Sequence, residues 1–246
     1  MVFSYMSYQE KLDAAAKAES EPMEDIPENE SGSEEPAEEP TIDQAQLDAL
    51  TANASPKVRE VLNARLKAGD DARMVVIGSA DIQGVADRLA NAVHDAYGGF
   101  LSVDAFAYDG TSTEFVTDGM QHLAWTNEYD IVVYEPFTLN NNGVVTIEDE
   151  QQHLLQVEER AMEAVPDVAF LVTPPQPIRN AGYYQTQIDN LKTFTEQQNM
   201  PYIDHWTKWP VRTSEEINNY LDASDRPTDQ GLDLWASALI EYFVAK

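Results

Sequence analysis

The chain has 246 residues, 43% of them hydrophobic, and its 44 acidic and 15 basic residues give a formal net charge of -29. So negative a surface repels phosphate backbones and anionic membranes, which argues against nucleic-acid binding. The chain has no cysteine, and this excludes disulfides, thiolate zinc sites and a cysteine nucleophile.

Residues 1–46 are predicted to form a disordered, acidic tail or spacer. The stretch from Glu19 to Asp43 is rich in Glu, Pro and Ser and contains no basic residue. Such a stretch cannot bury enough apolar surface to offset the entropy lost on folding, and its charges keep it extended. No apolar run reaches the length of a membrane helix, and no signal peptide is visible. Membrane attachment is therefore expected only through an anchor that is not visible in this chain.

Helices and strands alternate along residues 47–246, which are predicted to form one folded domain. The first helix begins with Ser55 as a typical N-cap and Pro56 in the first turn. Another helix follows Gly84, with Val85 and Leu89 on its apolar face. The five predicted strands are RMVVIG from residue 73, LSVDAFA from 101, DIVVYE from 130, DVAFLVT from 167 and PYIDHW from 201.

Apolar strands separated by helices are typical of a parallel sheet that is covered on both faces. Ligands of such α/β folds bind beyond the carboxyl ends of the strands. Polar segments follow the five strands there, beginning at Gly78, Tyr108, Glu135, Pro174 and Asp204. The segment DASDRPTDQG, from residue 222, precedes the last helix. We therefore expect any site to be built from these segments.

The first of these segments has the shape of a catalytic elbow. In VVIGSADIQG a β-branched run meets Gly78 and Ser79, and a helix follows Gly84. Enzymes of the α/β type often place a nucleophile on such a strand-to-helix turn. The central residue of this elbow is Ala80, whose methyl group has no chemistry.

The other polar residues also have structural interpretations. Asn and Gly clusters such as LNNNG are usually turns. His205, after the fifth strand, is more often a hydrogen-bonded structural residue than a base, and the other three histidines fall in predicted helices. The sequence contains no His-x-x-x-His pair, Walker loop or G-x-G-x-x-G motif, so no metal and no cofactor is predicted.

Taken together, the order of these segments resembles that of the SGNH (GDSL-type) hydrolases across roughly Arg73 to Phe243. In that family a G-D-S-x-x-x-G elbow follows the first strand, a glycine loop the second and G-x-N-D the third, and D-x-x-H-P-N-x-x-G precedes the final helix. Here residues 78–84 have the elbow's spacing, Gly110 and Asn140 occupy the places of the oxyanion-hole groups, and RPTDQG matches the last block. The resemblance implies a flavodoxin-like three-layer α/β/α sandwich with a five-stranded parallel sheet and, by default, ester hydrolysis or acyl transfer.

The same register puts the family's catalytic groups on residues that cannot perform the reaction. The nucleophilic Ser falls on Ala80, the base His on Arg226 and the orienting Asp on Ala223. A methyl group cannot attack an acyl carbon, and a guanidinium is always protonated. Replacement of all three catalytic residues indicates a domain that has lost the usual Ser-His chemistry. Whether the domain is an enzyme therefore stays open.

Three functional interpretations remain, of which one is purely structural: an acidic spacer that presents a packed domain to a protein partner. In the first, a degenerate pocket lined by Ser79, Ala80, Asp81, Gly110, Asn140 and Arg226 binds an acylated or glycan-like ligand without turnover, and Arg226 clamps a carboxylate or phosphate. In the second, an active esterase uses displaced residues, with Ser79 as nucleophile, His205 as base and Asp222 or Asp225 as the orienting acid. The family's frequent architecture of anchor, polar spacer and SGNH domain implies an extracytoplasmic location at a bacterial cell surface.

Overall fold

The computed structural model of the protein describes residues 42–246, so the predicted tail up to residue 41 lies outside the described residues. Helix α1 (Gln44–Leu50) begins before the predicted domain boundary at residue 47. The Asp43 side chain caps this helix by accepting a hydrogen bond from Gln46 N. Ile42 and Leu47 are both buried in the hydrophobic core, so the packed domain includes the residues around this boundary.

Four parallel strands form the sheet: β1 (Ala72–Gly78), β2 (Leu101–Ala107), β3 (Ile131–Tyr134) and β4 (Ala169–Val172). Their spatial order is β2-β1-β3-β4. The strands end almost level, because Gly78 pairs with Ala107 and Ile77 pairs with Tyr134. The predicted parallel α/β sheet is confirmed, and its carboxyl ends meet at one edge.

The prediction of a fifth strand at residues 201–206 is wrong. Only Tyr202 pairs with the sheet, through an isolated parallel bridge to Val172. The chain then turns into a 3-10 helix, His205–Lys208, in which the Asp204 side chain accepts a hydrogen bond from Trp206 N at 3.2 Å. This local cap competes with strand pairing, as short acidic side chains often do, and the segment leaves the sheet after one bridge.

Helices connect the strands and cover both faces of the sheet. They are α2 (Pro56–Ala68), α3 (Ile82–Tyr97), α4 (Ser112–Thr117), α5 (Thr138–Asn141), α6 (Ile147–Ala164), α7 (Tyr183–Gln197) and α8 (Asp229–Phe243). Single 3-10 turns add Gly119–His122, Trp125–Asn127 and Glu215–Asn219. As predicted, Ser55 caps α2 and Pro56 lies in its first turn. None of the helices in residues 42–246 is long and apolar enough to span a bilayer.

Alternate residues of β1 pack into two different cores. Met74 and Val76 join the core formed with α2, α3 and α8, which contains Trp235. Val75 and Ile77 join the second core, formed with α4, α6 and α7. This alternation is the period of two expected of a strand that is buried on both faces. The domain is therefore the expected three-layer α/β/α sandwich.

Candidate functional site

A cavity of about 370 Å³ lies at the carboxyl edge of the sheet. The segments after β1, β2, β3 and β4 contribute to its lining, and so does the loop before α8. We call this cavity the pocket. Ala80, Asn140 and Arg226, which the sequence register placed in one site, all line it. None of the lining residues, all within the described part of the chain, is a histidine.

The buried Glu135 carboxyl group holds the elbow after β1 through a hydrogen bond to the elbow's backbone. Ser79 N donates to Glu135 Oε2 at 2.6 Å, and Ile82 N donates to Ser79 O at 3.0 Å. A Cβ at position 78 would lie 2.7 Å from Glu135 Cβ and 2.8 Å from Glu135 Oε2. Glycine is therefore needed at Gly78 so that the carboxyl group can approach the backbone. Ser79 lines the pocket but is only 8% exposed, whereas Ala80 at the tip is exposed.

Glu135 is fully buried and also accepts a hydrogen bond from Phe137 N, at 2.8 Å. Burial raises its pKa to about 7, and the hydrogen bonds from Ser79 and Phe137 oppose that rise. Phe137 has a φ of 61°, in the left-handed region. The carboxyl group thus joins the ends of β1 and β3 beneath the pocket. Sequence reasoning named Glu135 only as the start of the segment after the third strand and gave it no role, although an acidic residue that directly follows a buried strand was the available signal.

Asn140 and Gly110 lie in contact, and Asn140 but not Gly110 is among the residues that line the pocket. Asn140 Nδ2 donates to Gly110 O at 2.8 Å. A Cβ on Gly110 would lie 2.6 Å from the Tyr108 ring, so this turn accommodates only glycine without a shift. One N–H of the Asn140 amide is therefore engaged by a backbone carbonyl, and the other remains for a ligand.

Arg226 faces the elbow across the pocket. Its Nε lies 3.9 Å from Asp81 Oδ1, and its side chain is 70% exposed against 23% for Asp81. Burial raises the pKa of Asp81, and the charge of Arg226 partly opposes this. The pair lies at the outer limit of an ion pair, so neither group is held firmly by the other.

Asp222, the displaced candidate for the orienting acid, shapes its own loop. Its Oδ1 accepts hydrogen bonds from Ser224 N at 2.8 Å and Arg226 N at 3.0 Å, and these lower its pKa. Asp222 does not line the pocket. It fixes the backbone that carries Arg226, and it contacts no imidazole among the described residues.

His205 is buried in the core and is not among the residues that line the pocket. Trp209 Nε1 donates to His205 Nδ1 at 2.9 Å, so the ring proton lies on Nε2, which donates to Pro174 O at 2.8 Å. The ring also stacks on Trp235 at a centroid distance of 4.7 Å. Burial lowers the pKa of His205 to about 3. The structure therefore separates His205 from Ser79 and occupies both of its nitrogens.

A different Ser–His pair lies outside the pocket. Ser112 Oγ is 2.9 Å from His153 Nδ1, and Ser112 N donates to Asn141 Oδ1 at 2.9 Å. Burial lowers the pKa of His153, which favours the neutral ring as acceptor. Ser112 is completely buried, so its hydroxyl cannot reach a substrate. Sequence reasoning missed the pair because α4 and α6 meet only in the fold.

A second buried carboxyl group supports the segment that carries Asn140. Glu150 on α6 accepts hydrogen bonds from Thr138 Oγ1 at 2.8 Å and from Asn141 Nδ2 at 2.6 Å. Burial raises the pKa of Glu150 to about 7. Within residues 42–246, no group of three or more His, Cys, Asp or Glu side chains is arranged to hold a metal ion.

No protein-family model matches the chain, and no curated protein matches it. Solved structures match its fold. A G-D-S-L family protein from Desulfitobacterium hafniense aligns at 13% identity over 70% of this chain and 99% of its own, with a TM-score of 0.57. A catalytic mutant of an acetylxylan esterase from Geobacillus stearothermophilus aligns at 12% identity over 70% of this chain and 94% of its own, also at 0.57. A carbohydrate esterase of family 3 from Talaromyces cellulolyticus aligns at 12% identity over 68% and 94%, with the same TM-score.

Proposed function

Since the domain has the fold of the SGNH hydrolases, we propose that it binds an acylated or glycan-like ligand in the pocket without the usual Ser-His catalysis. The observation that carries this proposal is the pairing of Ala80 with Arg226 on the two sides of a pocket that still contains Asn140. The position for the ligand is present, while the positions for nucleophile and base hold a methyl group and a permanent cation.

The lining of the pocket supports a ligand that is mostly polar. Asn140, Gln176 and Asp109 offer hydrogen-bonding groups, and Leu139 and Ile178 add apolar surface. Pockets with a few convergent polar groups on an apolar wall bind small molecules in a fixed orientation. Two of the matching structures are described as an acetylxylan esterase and a carbohydrate esterase, which favours acylated sugars as the first ligands to test.

One observation favours the alternative of an active esterase with Ser79 as a displaced nucleophile. The titratable group in contact with Ser79 is Glu135, whose pKa of about 7 suits a general base. His205 does not fill that role in this geometry, because both ring nitrogens are engaged in the core. An esterase of this kind would therefore depend on Ser79 and Glu135.

Turnover and binding measured on the same variants separate the two functions. We expect the unaltered protein and the Ser79→Ala variant to hydrolyse p-nitrophenyl acetate equally, at the background rate. Both should bind acetylated xylo-oligosaccharides in titration calorimetry with the same affinity. Turnover that disappears in both Ser79→Ala and Glu135→Gln would instead establish the esterase.

We also propose an extracytoplasmic location at a bacterial cell surface, which is supported by the architecture of the resembling family. Fractionation of cells that express the natural protein, with immunodetection of the surface fraction, tests this part. Recovery in the cytoplasmic fraction alone would contradict it and leave the binding function standing.

A further inference from the structure

One residue that lines the pocket has a hydrogen-bond acceptor without a partner among the described residues. Gln176, in the segment after β4, lines the pocket and is only 3% exposed. Its Oε1 is buried and has no hydrogen-bond partner among the described residues. A buried amide oxygen without a partner costs about 1–3 kcal/mol. The structure therefore holds a group that gains free energy when a donor enters.

Asp81, in the segment after β1, provides a second acceptor that lines the same pocket. Its side chain is 23% exposed, and it caps no backbone N–H of α3 although it stands at the N-cap position. No hydrogen bond to its carboxylate is formed within the described residues. The nearest cation is the largely exposed Arg226, at 3.9 Å. The carboxylate has thus lost much of its hydration without gaining a firm partner.

The charged residues of the described chain that line the pocket are mainly acidic, with Asp81, Asp109 and Asp225 against the one lining cation, Arg226. The Asn140 amide donates to Gly110 O at 2.8 Å. Asp225, which also lines the pocket, is paired with Arg179 at 2.5 Å and so attracts a ligand cation less than Asp81 does. Asp109 lines the opposite loop, is exposed and has no ion pair within residues 42–246. Two negatively charged acceptors, Asp81 and Asp109, therefore line the pocket without a close ion-pair partner among the described residues.

We propose, on the basis of the glycan-binding function proposed above, that the pocket selects an amino sugar whose ammonium group binds against Asp81 and Gln176. An ammonium group supplies three donors and a positive charge, so it satisfies a carboxylate and an amide oxygen together. A carboxylate or phosphate ligand would instead face Asp81 and Asp109, with Arg226 as its only lining cation. This reverses the preference for anions that Arg226 alone suggested.

The test compares three trisaccharides of similar size by titration calorimetry at about pH 5.5, where a sugar amine is protonated. They are the trimers of glucosamine, of N-acetylglucosamine and of galacturonic acid. We expect the glucosamine trimer to bind about tenfold more tightly than the acetylated trimer, a difference of about 1.4 kcal/mol. The galacturonic acid trimer should bind most weakly, because its carboxylates meet the two free aspartates.

Variants locate the preference within the pocket. Asp81→Asn should remove most of the tenfold preference, whereas Asp95→Asn, an exposed change on α3 outside the pocket, should leave it unchanged. Arg226→Gln keeps the test decisive if Asp81→Asn does not fold, because Arg226 is exposed. Loss of that competing cation should strengthen glucosamine binding about threefold, in the range of an exposed charge interaction.

The possible failures are distinguishable. If none of the trimers binds, the glycan-binding function fails and the amine preference fails with it. If the acetylated trimer binds as tightly as the glucosamine trimer, or the galacturonic acid trimer binds best, the amine preference is overturned while a glycan-binding pocket stands. A glucosamine preference that stays undiminished in Asp81→Asn, or glucosamine binding that Arg226→Gln does not strengthen, would also overturn it, because the ammonium site would lie elsewhere.

Discussion

The supporting network beneath the pocket and the wall of the pocket are built in opposite ways. The network consists of two buried carboxyl groups and their donors. Glu135 accepts from Ser79 N and Phe137 N, and Glu150 accepts from the side chains of Thr138 and Asn141. In the wall, Ala80 has no polar group, and Asp81 and Arg226 only approach each other at 3.9 Å. The network holds the ends of β1 and β3 in place, while the wall leaves groups open to a ligand.

This difference indicates that the residues which position the elbow and Asn140 are separate from the residues which offer chemical groups to a ligand. The network fixes the position of the elbow and of the segment that carries Asn140, through contacts that do not involve Ala80 or Arg226. Replacement of the residues on the wall therefore leaves the pocket's framework intact. The four predictions below test that separation, from the largest expected effect to the smallest.

The Glu135→Ala change should break the network itself. It leaves Ser79 N–H and Phe137 N–H without acceptors in a buried site, at about 2 kcal/mol each, so we expect the free energy of unfolding to fall by about 4 kcal/mol. Urea denaturation at pH 7 measures this loss, and Glu196→Ala on the exposed side of α7 is the matched control. A loss of less than about 1 kcal/mol, similar to the control, would mean that Glu135 does not hold the elbow.

The network should also make stability depend on pH through Glu150, whose pKa rises from 4.5 to about 7 on folding. Below pH 4.5 the group is protonated in both states and its contribution is fully present. Between pH 4.5 and 7 only the unfolded state ionises, so stability falls as the pH rises. The loss is complete above pH 7 and is on the order of 3 kcal/mol.

The Glu150→Gln variant isolates this contribution. Because the amide mimics the protonated carboxyl group, the decrease in unfolding free energy between pH 5 and pH 8 should be smaller in the variant by about that amount. Glu159→Gln, an exposed change on the same helix, should keep the full decrease. Identical pH profiles for Glu150→Gln and the unaltered protein would contradict the assignment.

On the proposed binding function, restoring family residues on the wall should add ester hydrolysis to the pocket. We expect Ala80→Ser combined with Arg226→His to hydrolyse an activated ester about tenfold faster than the unaltered protein, whereas neither single change does so. Adding Ala223→Asp should increase the rate further by orienting the imidazole. Equal activity in all variants, well above background, would show that another nucleophile already works and that Ala80 does not mark a disabled elbow.

The smallest effect is expected for the Ser–His pair outside the pocket. Ser112→Ala removes one buried hydrogen bond to His153, so the free energy of unfolding should fall by about 1 kcal/mol. Ligand affinity and ester turnover should not change, because Ser112 does not line the pocket. A drop in ligand affinity or ester turnover would show that the Ser112–His153 pair contributes to function, although it lies outside the pocket.

Local patterns predicted much of the architecture. The apolar runs of β1 and β3 identified the strands that are buried on both faces, and Ser55 and Pro56 marked the start of α2. The failure at residues 201–206 has a local cause as well. The Asp204 side chain caps a 3-10 turn there, and an apolar run does not reveal which of two hydrogen-bonding patterns a short segment adopts.

The site was partly predictable, because the order of the motifs along the chain indicates which strand end each motif follows. The resemblance placed Ala80, Asn140 and Arg226 at the ends of parallel strands and before the last helix, and these ends meet in one pocket. It did not reveal Glu135 or the burial of Gln176, since an acidic residue or an amide after a strand has no distinctive spacing. His205 also lay at a strand end, yet its ring packs on Trp235, which comes thirty residues later.

By itself, the sequence determined the alternation of strands and helices and the residues that stand at each strand end. These properties depend on neighbours within a few positions along the chain, because periodicity and capping act locally. The tertiary structure decided which of those residues face the pocket and which are held beneath it. The contact between Ser79 and Glu135 joins residues 56 positions apart, and the contact between Asn140 and Gly110 joins residues 30 apart. Such contacts depend on how the strand ends are placed side by side, which no local pattern encodes.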